Sequence, residues 1–542
     1  MTFELEPSGH TDTFCRDHLP PADLWPRLTY DVLPELAAYP RRMNCAAELL
    51  DRQVDAGHGD RPVFLFPGGR WTYRELLSRA NRIAHVLVDD LGLVPGGRVL
   101  LRGRNGPMLA ACWFAVLKAG GVVVCTMPLL RTRELAFTMQ KAAISLALCE
   151  DGLTEDCDSA MQDRGRVVRY GGEGGAGSLE AMAAGKPETF ENVDTAWDDV
   201  ALIAFTSGTT GQGKGTMHFH RDVLAVCDCF PPYVLRATAD DVFIGSPPFA
   251  FTFGLGALVL FPMRIGASAV LLPQASPPHL IRGIAEYRAT VCFTAPTAYR
   301  AMLPLLPQHD ASSLRLCVSA GETLPRSTFE SWERATGGRI IDGIGATEML
   351  HIFISASGDD IRPGSTGRPV PGYEARVVYD NGETVPPGTI GRLAVRGPTG
   401  CRYLDDAERQ SLYVHDGWNL TGDSYIMDAD GWFWYQARTD DMIISGGNNI
   451  SGPEVESVLL EHPAVQECGV VGLPDEERGQ VVSAFVVLRE GHDASDVLAR
   501  ALQDHVKQEI APYKYPRRVA FVPALPRTDT GKLQRFRLRE GA

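Results

Sequence analysis

The chain has 542 residues, 44% of them hydrophobic and 22% charged, a balance that excludes disorder and fibrous repeats. At ~150 residues per domain it is too long for one ordinary core and implies roughly three to four folding units. With 52 basic against 67 acidic residues and a net charge of −15, it opposes nonspecific attraction to nucleic acid or anionic membrane, so a polyanionic ligand must meet local positive sites.

The opening MTFELEPSGHTDTF lacks the basic start and apolar stretch of a secretory signal. Twelve cysteines without a CxxC pair, the nearest being Cys227 and Cys229, fit a reducing, cytoplasmic setting. Thr72 and Glu75 form a capping-box pattern, and Leu76, Ala80, Ile83, Ala84 and Leu87 follow at helical spacing, which predicts an amphipathic helix packed on a sheet. The apolar run from Pro107 raises the membrane question, but Lys118, Gly120 and Gly121 interrupt it. It reads as a buried helix, a turn and a buried strand, and no membrane partner is expected.

Short β-rich runs (RVLLRG, GVVVCTM, ISLALCE, ALIAFTS) alternate with helical patterns, which predicts layered α/β architecture with mostly parallel strands. GGEGGAG from Gly171 reads as a mobile loop. From about Arg376 shorter strands and turns predict a β-rich subdomain. After ARTDDMIISGGNNISGPEVE come a helix, EVESVLLEH, strands around VQECGVVGL and SAFVVLRE, and another amphipathic helix. That is a small α+β unit joined through a polar segment.

Chemistry concentrates in TSGTTGQGKG, Thr206 to Gly215, on the loop leaving the buried strand LIAF. Gly208, Gly211, Gly213 and Gly215 permit close backbone approach, Thr206, Ser207, Thr209 and Thr210 add hydroxyl donors, and Lys214 adds charge, so the loop can wrap a phosphate. Gly208, Gly213 and Lys214 also fit GxxxxGK, but Gly215 stands where a nucleotide-triphosphatase loop needs serine or threonine for magnesium.

GIGATEM (Gly343 to Met349), WNLTGD ending at Asp423, ARTDDMIISGG (Ala437 to Gly447) and PRTDTGK ending at Lys532 then follow in order. With TSGTTGQGKG they make the chain resemble, over nearly its full length, the adenylate-forming superfamily of acyl-CoA synthetases, nonribosomal adenylation domains and luciferases. One departure is Gln212 and Gly213, where the family often has a proline before the lysine.

The resemblance implies an AMP-forming acid-thiol ligase using ATP, magnesium and CoA. Residues 1–437 would form the N-terminal adenylation core, 438–440 the hinge and 441–542 a mobile C-terminal domain. It implies that Thr206 to Gly211 and Lys214 bind the ATP phosphates, Thr347 contacts the α-phosphate and Glu348 holds magnesium. Ala320, Gly321 and Glu322, with Asp342, Gly343 and Ile344, would line the adenine pocket. Asp423 would accept ribose hydroxyls and Arg438 support them. Lys532 would bridge the carboxylate and the α-phosphate, bringing two anions together. Asp440 would be the pivot of the rotation between half-reactions, after which Ser445, Gly446 and Gly447 would border the CoA tunnel.

SPPFAFTFGLG from Ser246 has Phe251 where many fatty acyl and coumaroyl ligases have histidine, GIGATEMLHIFIS from Gly343 is close to the form in benzoate-CoA ligases, and GHTDTFCRDHLPP with RRMNCAAELLD resembles the 2-aminobenzoate-CoA ligase branch. The expected acid is 2-aminobenzoate or a related benzoate such as benzoate or salicylate. Phe251, Thr252, Phe253, Ala295, Gly345, Ala346 and His351 would form a slot for one ring. Thr252 is expected to face an ortho substituent, or else to be a methyl-sized core residue; His351 borders the ring or packs as a satisfied core histidine. The chain ends at Ala542, close behind Lys532, leaving no room there for a fused carrier, so CoA is the simpler acceptor and a separate carrier protein the alternative. A binding protein without turnover is disfavoured because Thr347, Glu348, Asp423 and Lys532 are all present. The resemblance allows a homodimer and leaves the oligomeric state open.

Overall fold

The computed structural model describes residues 5–172, 175, 177–206, 213–438, 441–445, 448–475, 478–527 and 533–540. The Thr72 capping box forms: Glu75 N donates to Thr72 Oγ1 at 3.2 Å and Thr72 N donates to Glu75 Oε2 at 2.8 Å. It starts the helix Tyr73–His85, whose Leu76, Ala80, Ile83 and Ala84, with Leu87 just beyond, are buried. Each large aliphatic side chain so placed contributes about 1.5–3 kcal/mol. The apolar run from Pro107 becomes the helix Pro107–Lys118, a turn through Gly120 at φ +70°, and the strand Val122–Thr126. Fully buried Lys118 is held by both oxygens of Asp51, at 2.6 and 2.7 Å. Among the described residues no helix is long and apolar enough to cross a membrane.

Among the described residues the chain builds four sheets. In the first, Arg166–Tyr170, Leu146–Glu150, Arg98–Arg102, Val122–Thr126 and Val200–Phe205 run parallel, with Gly215–Phe219 antiparallel at the edge. In the second, Ile340–Gly345, Leu316–Ala320, Val291–Thr294, Val242–Gly245, Ser268–Val270 and Pro62–Phe66 run parallel between antiparallel edges. The central strands are buried along their length, which is why they read as unbroken apolar runs and not as alternating ones.

The β-rich subdomain is an antiparallel sheet that includes Glu374–Val378, Ile390–Arg396, Trp418–Met427 and Phe433–Arg438. The small C-terminal domain follows, with the long hairpin Val465–Asp475 and Gly479–Leu488, and Arg518–Phe521 parallel at its side. The helices Gly452–Leu459 and Asp496–Glu509 cover this sheet. Val455, Leu459, Val470, Val486, Leu502 and Val506 give it a core of its own. Fold class and strand direction agree with the sequence expectation. The GGEGGAG segment lies partly outside the described residues.

Candidate active site

The expected site residues follow the C-terminal ends of parallel strands, where an open α/β sheet leaves a crevice. Val200–Phe205 leads into Thr206, Val242–Gly245 into Ser246, Val291–Thr294 into Ala295, Leu316–Ala320 into Gly321, and Ile340–Gly345 into Ala346. These positions line one cleft of about 3570 Å³, larger than a single small-ligand pocket. Its walls include residues of the C-terminal domain.

Thr206 and Lys214 close the base of the glycine-rich loop: Thr206 N donates to the Lys214 carbonyl at 2.9 Å, and Phe205 pairs with Gly215. Both residues line the cleft. The edge strand Gly215–Phe219 then supports the Thr347–Met349 turn through His218, whose fully buried ring is neutral at neutral pH because burial lowers its pKa to about 4. Nε2 must therefore carry the proton, and it donates to the Thr347 carbonyl at 2.8 Å. Beside it, Tyr403 Oη donates to Glu348 Oε1 at 2.6 Å, and Lys214 Nζ lies 5.6 Å from the Tyr403 ring centroid. Neither His218 nor Tyr403 is singled out by the sequence. Both act through main-chain or side-chain partners far away in the chain, which leaves no local spacing to read.

At the C-terminal ends of two neighbouring parallel strands, Ala320 pairs with Gly343 and Ser319 with Asp342. Gly321 has φ +88°, a left-handed turn that aims Glu322 along the cleft wall. The Oδ1 atom of Asp342 is buried without a partner, and burial raises the carboxyl pKa to about 8, against hydrogen bonding from Gly343 and Ser319. Asp423 and Arg438 face each other across paired strands, with Nη1 3.4 Å from Oδ1. Burial raises the Asp423 pKa and Arg438 opposes the rise. Glu322 lies 3.8 Å from Arg527, the last described residue before the segment carrying Lys532, and Arg300 lies 3.8 Å from Glu467. These two ion pairs join the C-terminal domain to the opposite wall of the cleft.

Phe251, Thr252, Phe253, Ala295, Gly345, Ala346 and His351 all line this cleft. Phe251 precedes the helix that Thr252 begins, and Ala295 precedes the helix Pro296–Met302. A Cβ on Gly345 would lie 2.8 Å from the His351 carbonyl oxygen, so this tight turn accepts only glycine. His351 is 3% exposed, and its ring sits among Phe261, Phe253, Phe230 and Phe293, at centroid distances of 4.4, 5.7, 5.8 and 6.4 Å. Burial lowers its pKa to about 3. The Phe253 backbone is the polar group that bears on the ring, opposing the fall. His351 is thus a buried ring on the cleft wall, a placement that fits both bordering the acid and packing in the core. Gly256 makes room for the ring, since a Cβ there would lie 2.4 Å from His351 Cδ2. The sequence offers no signal for Gly256, Phe230, Phe261 or Phe293, which converge only in the fold.

Ser445 is buried in the strand Ile443–Ser445 and does not line the cleft. Ser207, Gly208, Thr209, Thr210, Gly211, Asp440, Gly446, Gly447 and Lys532 lie outside the described residues. Among the described residues no cluster of three or more histidine, cysteine, aspartate or glutamate side chains could hold a metal ion. Glu348 lines the cleft together with Lys214 and Thr206 and offers them one carboxylate. That donor set fits magnesium, which takes one or two protein carboxylates and completes its shell with phosphate oxygens and water.

Residues 50–402 match the model of the family described as AMP-binding enzyme, and residues 454–532 match that of the AMP-binding enzyme C-terminal domain. The benzoate–CoA ligase of Thauera aromatica is 35% identical over 513 residues, covering 93% of this chain and 97% of that protein. Among solved structures, an anthranilate CoA ligase in complex with anthranoyl-AMP superposes with a TM-score of 0.89 at 36% identity, covering 93% of this chain and 98% of that one. A benzoate CoA ligase from Burkholderia xenovorans LB400 gives a TM-score of 0.85 at 32% identity, covering 92% and 100%. With both family models matched in order and relatives alike from end to end, the chain belongs to the family of AMP-binding enzymes.

Proposed function

We propose that the protein is an ATP-dependent aryl acid–CoA ligase that activates 2-aminobenzoate or a closely related benzoate. One observation carries this reading: Asp342 through Glu348 and His351, from one short stretch, all line one cleft. On this reading Asp342 and Gly343 serve the nucleotide, Thr347 and Glu348 the phosphates and the cation, and Ala346 and His351 the ring of the acid. Such a stretch sets an aromatic carboxylate beside the α-phosphate of ATP. The relatives, ligases of benzoate and anthranilate, support the same acid class.

In the first half-reaction a carboxylate oxygen of the acid bonds to the α-phosphorus as the bond to the bridging oxygen breaks and pyrophosphate leaves. Two anions must meet, so positive charge and directed donors carry the step. Lys214 and the Thr206 hydroxyl face the phosphates, Thr347 meets the α-phosphate, and Lys532 joins the carboxylate to it. Glu348 would hold magnesium, which supplies charge neutralisation to the phosphates. Asp423 and Arg438 take the ribose, and the Ala320–Glu322 turn, Asp342, Gly343 and Ile344 take adenine. In the second half-reaction the CoA sulfur bonds to the acyl carbon and AMP leaves. Asp440 is the proposed pivot between residues 1–437 and 441–542, with Ser445, Gly446 and Gly447 carried to the thiol by that rotation.

The neutral imidazole of His351 can exchange one hydrogen bond with a ring substituent, and the Thr252 hydroxyl can offer another. Both favour an ortho amino or hydroxyl group. The test is CoA-dependent AMP formation with product masses across benzoate, 2-aminobenzoate, salicylate, 4-coumarate and octanoate. A 2-aminobenzoyl-CoA product, or that of a close ring analogue, is expected. Preference for octanoate would overturn the aryl reading, and adenylate without thioester would move the acceptor to a carrier protein.

A further inference from the structure

Tyr403 has no part in the reading above, yet it lies between two of its charged groups. Its hydroxyl donates to Glu348 Oε1 at 2.6 Å, and the other face of the contact is Lys214, with Nζ 5.6 Å from the ring centroid. The side chain is 1% exposed. Its backbone is tied down on both sides: Tyr403 N donates to Gln410 Oε1 at 2.9 Å, Leu404 N to the Gly215 carbonyl at 2.8 Å, and Met217 N to the Arg402 carbonyl at 2.8 Å. Thr216 and Tyr403 pair as a bridge. Arg402, next in the chain, is fully buried and pairs with fully buried Asp222. The phenol is therefore fixed to the strand that follows the glycine-rich loop, and it cannot follow Glu348 if that side chain moves.

We infer that Tyr403 is a positioning residue that holds the Glu348 carboxylate in the orientation needed for the cation–nucleotide complex. The inference rests on the assignment of Glu348 to magnesium. One carboxylate oxygen is occupied by the phenol, and the other is left for the cation. No other carboxylate cluster exists among the described residues to compensate for a misdirected Glu348. A hydrogen bond from a neutral donor to a carboxylate is worth about ten- to hundredfold in an equilibrium that depends on it.

The test is equilibrium binding of ATP by calorimetry, with magnesium and with EDTA, for the full chain and for Tyr403→Phe, Glu348→Gln and the double variant. Phenylalanine keeps the ring against Lys214 and removes only the hydroxyl. We expect magnesium to tighten ATP binding in the parent, Glu348→Gln to abolish most of that gain, and Tyr403→Phe to reduce it by about ten- to hundredfold. Metal-free ATP affinity should be unchanged in Tyr403→Phe, which also shows that the variant is folded. The double variant should match Glu348→Gln. Equal loss with and without magnesium, or a further loss from Tyr403→Phe in the Glu348→Gln background, would overturn the role of Tyr403. Undiminished magnesium dependence in Glu348→Gln would instead remove the Glu348 assignment itself and the inference with it.

Discussion

Replacing Gly256 with alanine should damage recognition of the acid while leaving ATP binding alone. The added Cβ would lie 2.4 Å from Cδ2 and 2.6 Å from Nε2 of His351, whereas carbon atoms in contact rest near ~3.5–4 Å. The imidazole must recede by roughly 1 Å to restore that separation. Phe230, Phe253, Phe261 and Phe293 surround it, with centroids 4.4 to 6.4 Å away, so the open direction is the cleft. Forcing an extra methyl into a packed core costs about 1–3 kcal/mol. If the ring relaxes into the acid slot, that cost appears as an about 5- to 150-fold loss in kcat/KM for the aryl acid. The KM for ATP should stay put, because Thr206, Lys214 and Glu348 do not touch Gly256. Steady-state AMP release, with acid and ATP varied in turn, measures both. A wild-type kcat/KM for the acid combined with a lowered melting temperature would refute the reasoning, since the strain would then have been absorbed away from the cleft.

Thr252→Ala should reduce the preference for 2-aminobenzoate over benzoate by about two- to tenfold, the worth of one neutral hydrogen bond; an unchanged ratio of kcat/KM values would place Thr252 in the core. Lys532→Ala should slow adenylate formation by ~10²–10³ and largely spare thioester formation from preformed adenylate; equal loss in both halves would refute that division. His218 gives a pH prediction. Its folded pKa of about 4 lies below the unfolded value of about 6.5, so its contribution is fully present above pH ~6.5 and lost as pH falls toward 4. The shift corresponds to about 3 kcal/mol, and because the ring is fully buried no solvent screening reduces it. Urea denaturation at pH 7 and pH 4 should show the parent losing that much more stability than His218→Gln; parallel losses would mean that His218 does not carry the effect.

Local grammar in the sequence was enough for part of this structure. The Thr72–Glu75 cap, the helix that follows it and the interrupted apolar run at Pro107 depend on neighbours a few positions away, and all formed as read. Thr347, Glu348, Asp423 and Arg438 were legible because they sit in ordered motifs, and the fold brings them to one cleft. Tyr403 on Glu348, His218 on the Thr347 carbonyl and Gly256 under His351 were not legible. Each joins residues from different strands or helices, and their partners are chosen by sheet order and packing, which leave no period or spacing behind. The aromatic box around His351 belongs to the same class: what surrounds a histidine depends on the fold, not on the apolar run that contains it.

The double duty of the Asp342–His351 stretch also constrains how this enzyme can change. A substitution there that retunes the ring pocket also shifts the strand or turn that faces the nucleotide, so altered acid choice and weakened ATP use would arise together. On the proposed assignment Phe251, Thr252, Phe253 and Ala295 line the acid side of the cleft from the starts of two separate helices. New acid preferences should therefore accumulate on those helices, with the shared strand left nearly untouched, and a library confined to them would sample substrates without sacrificing adenylation.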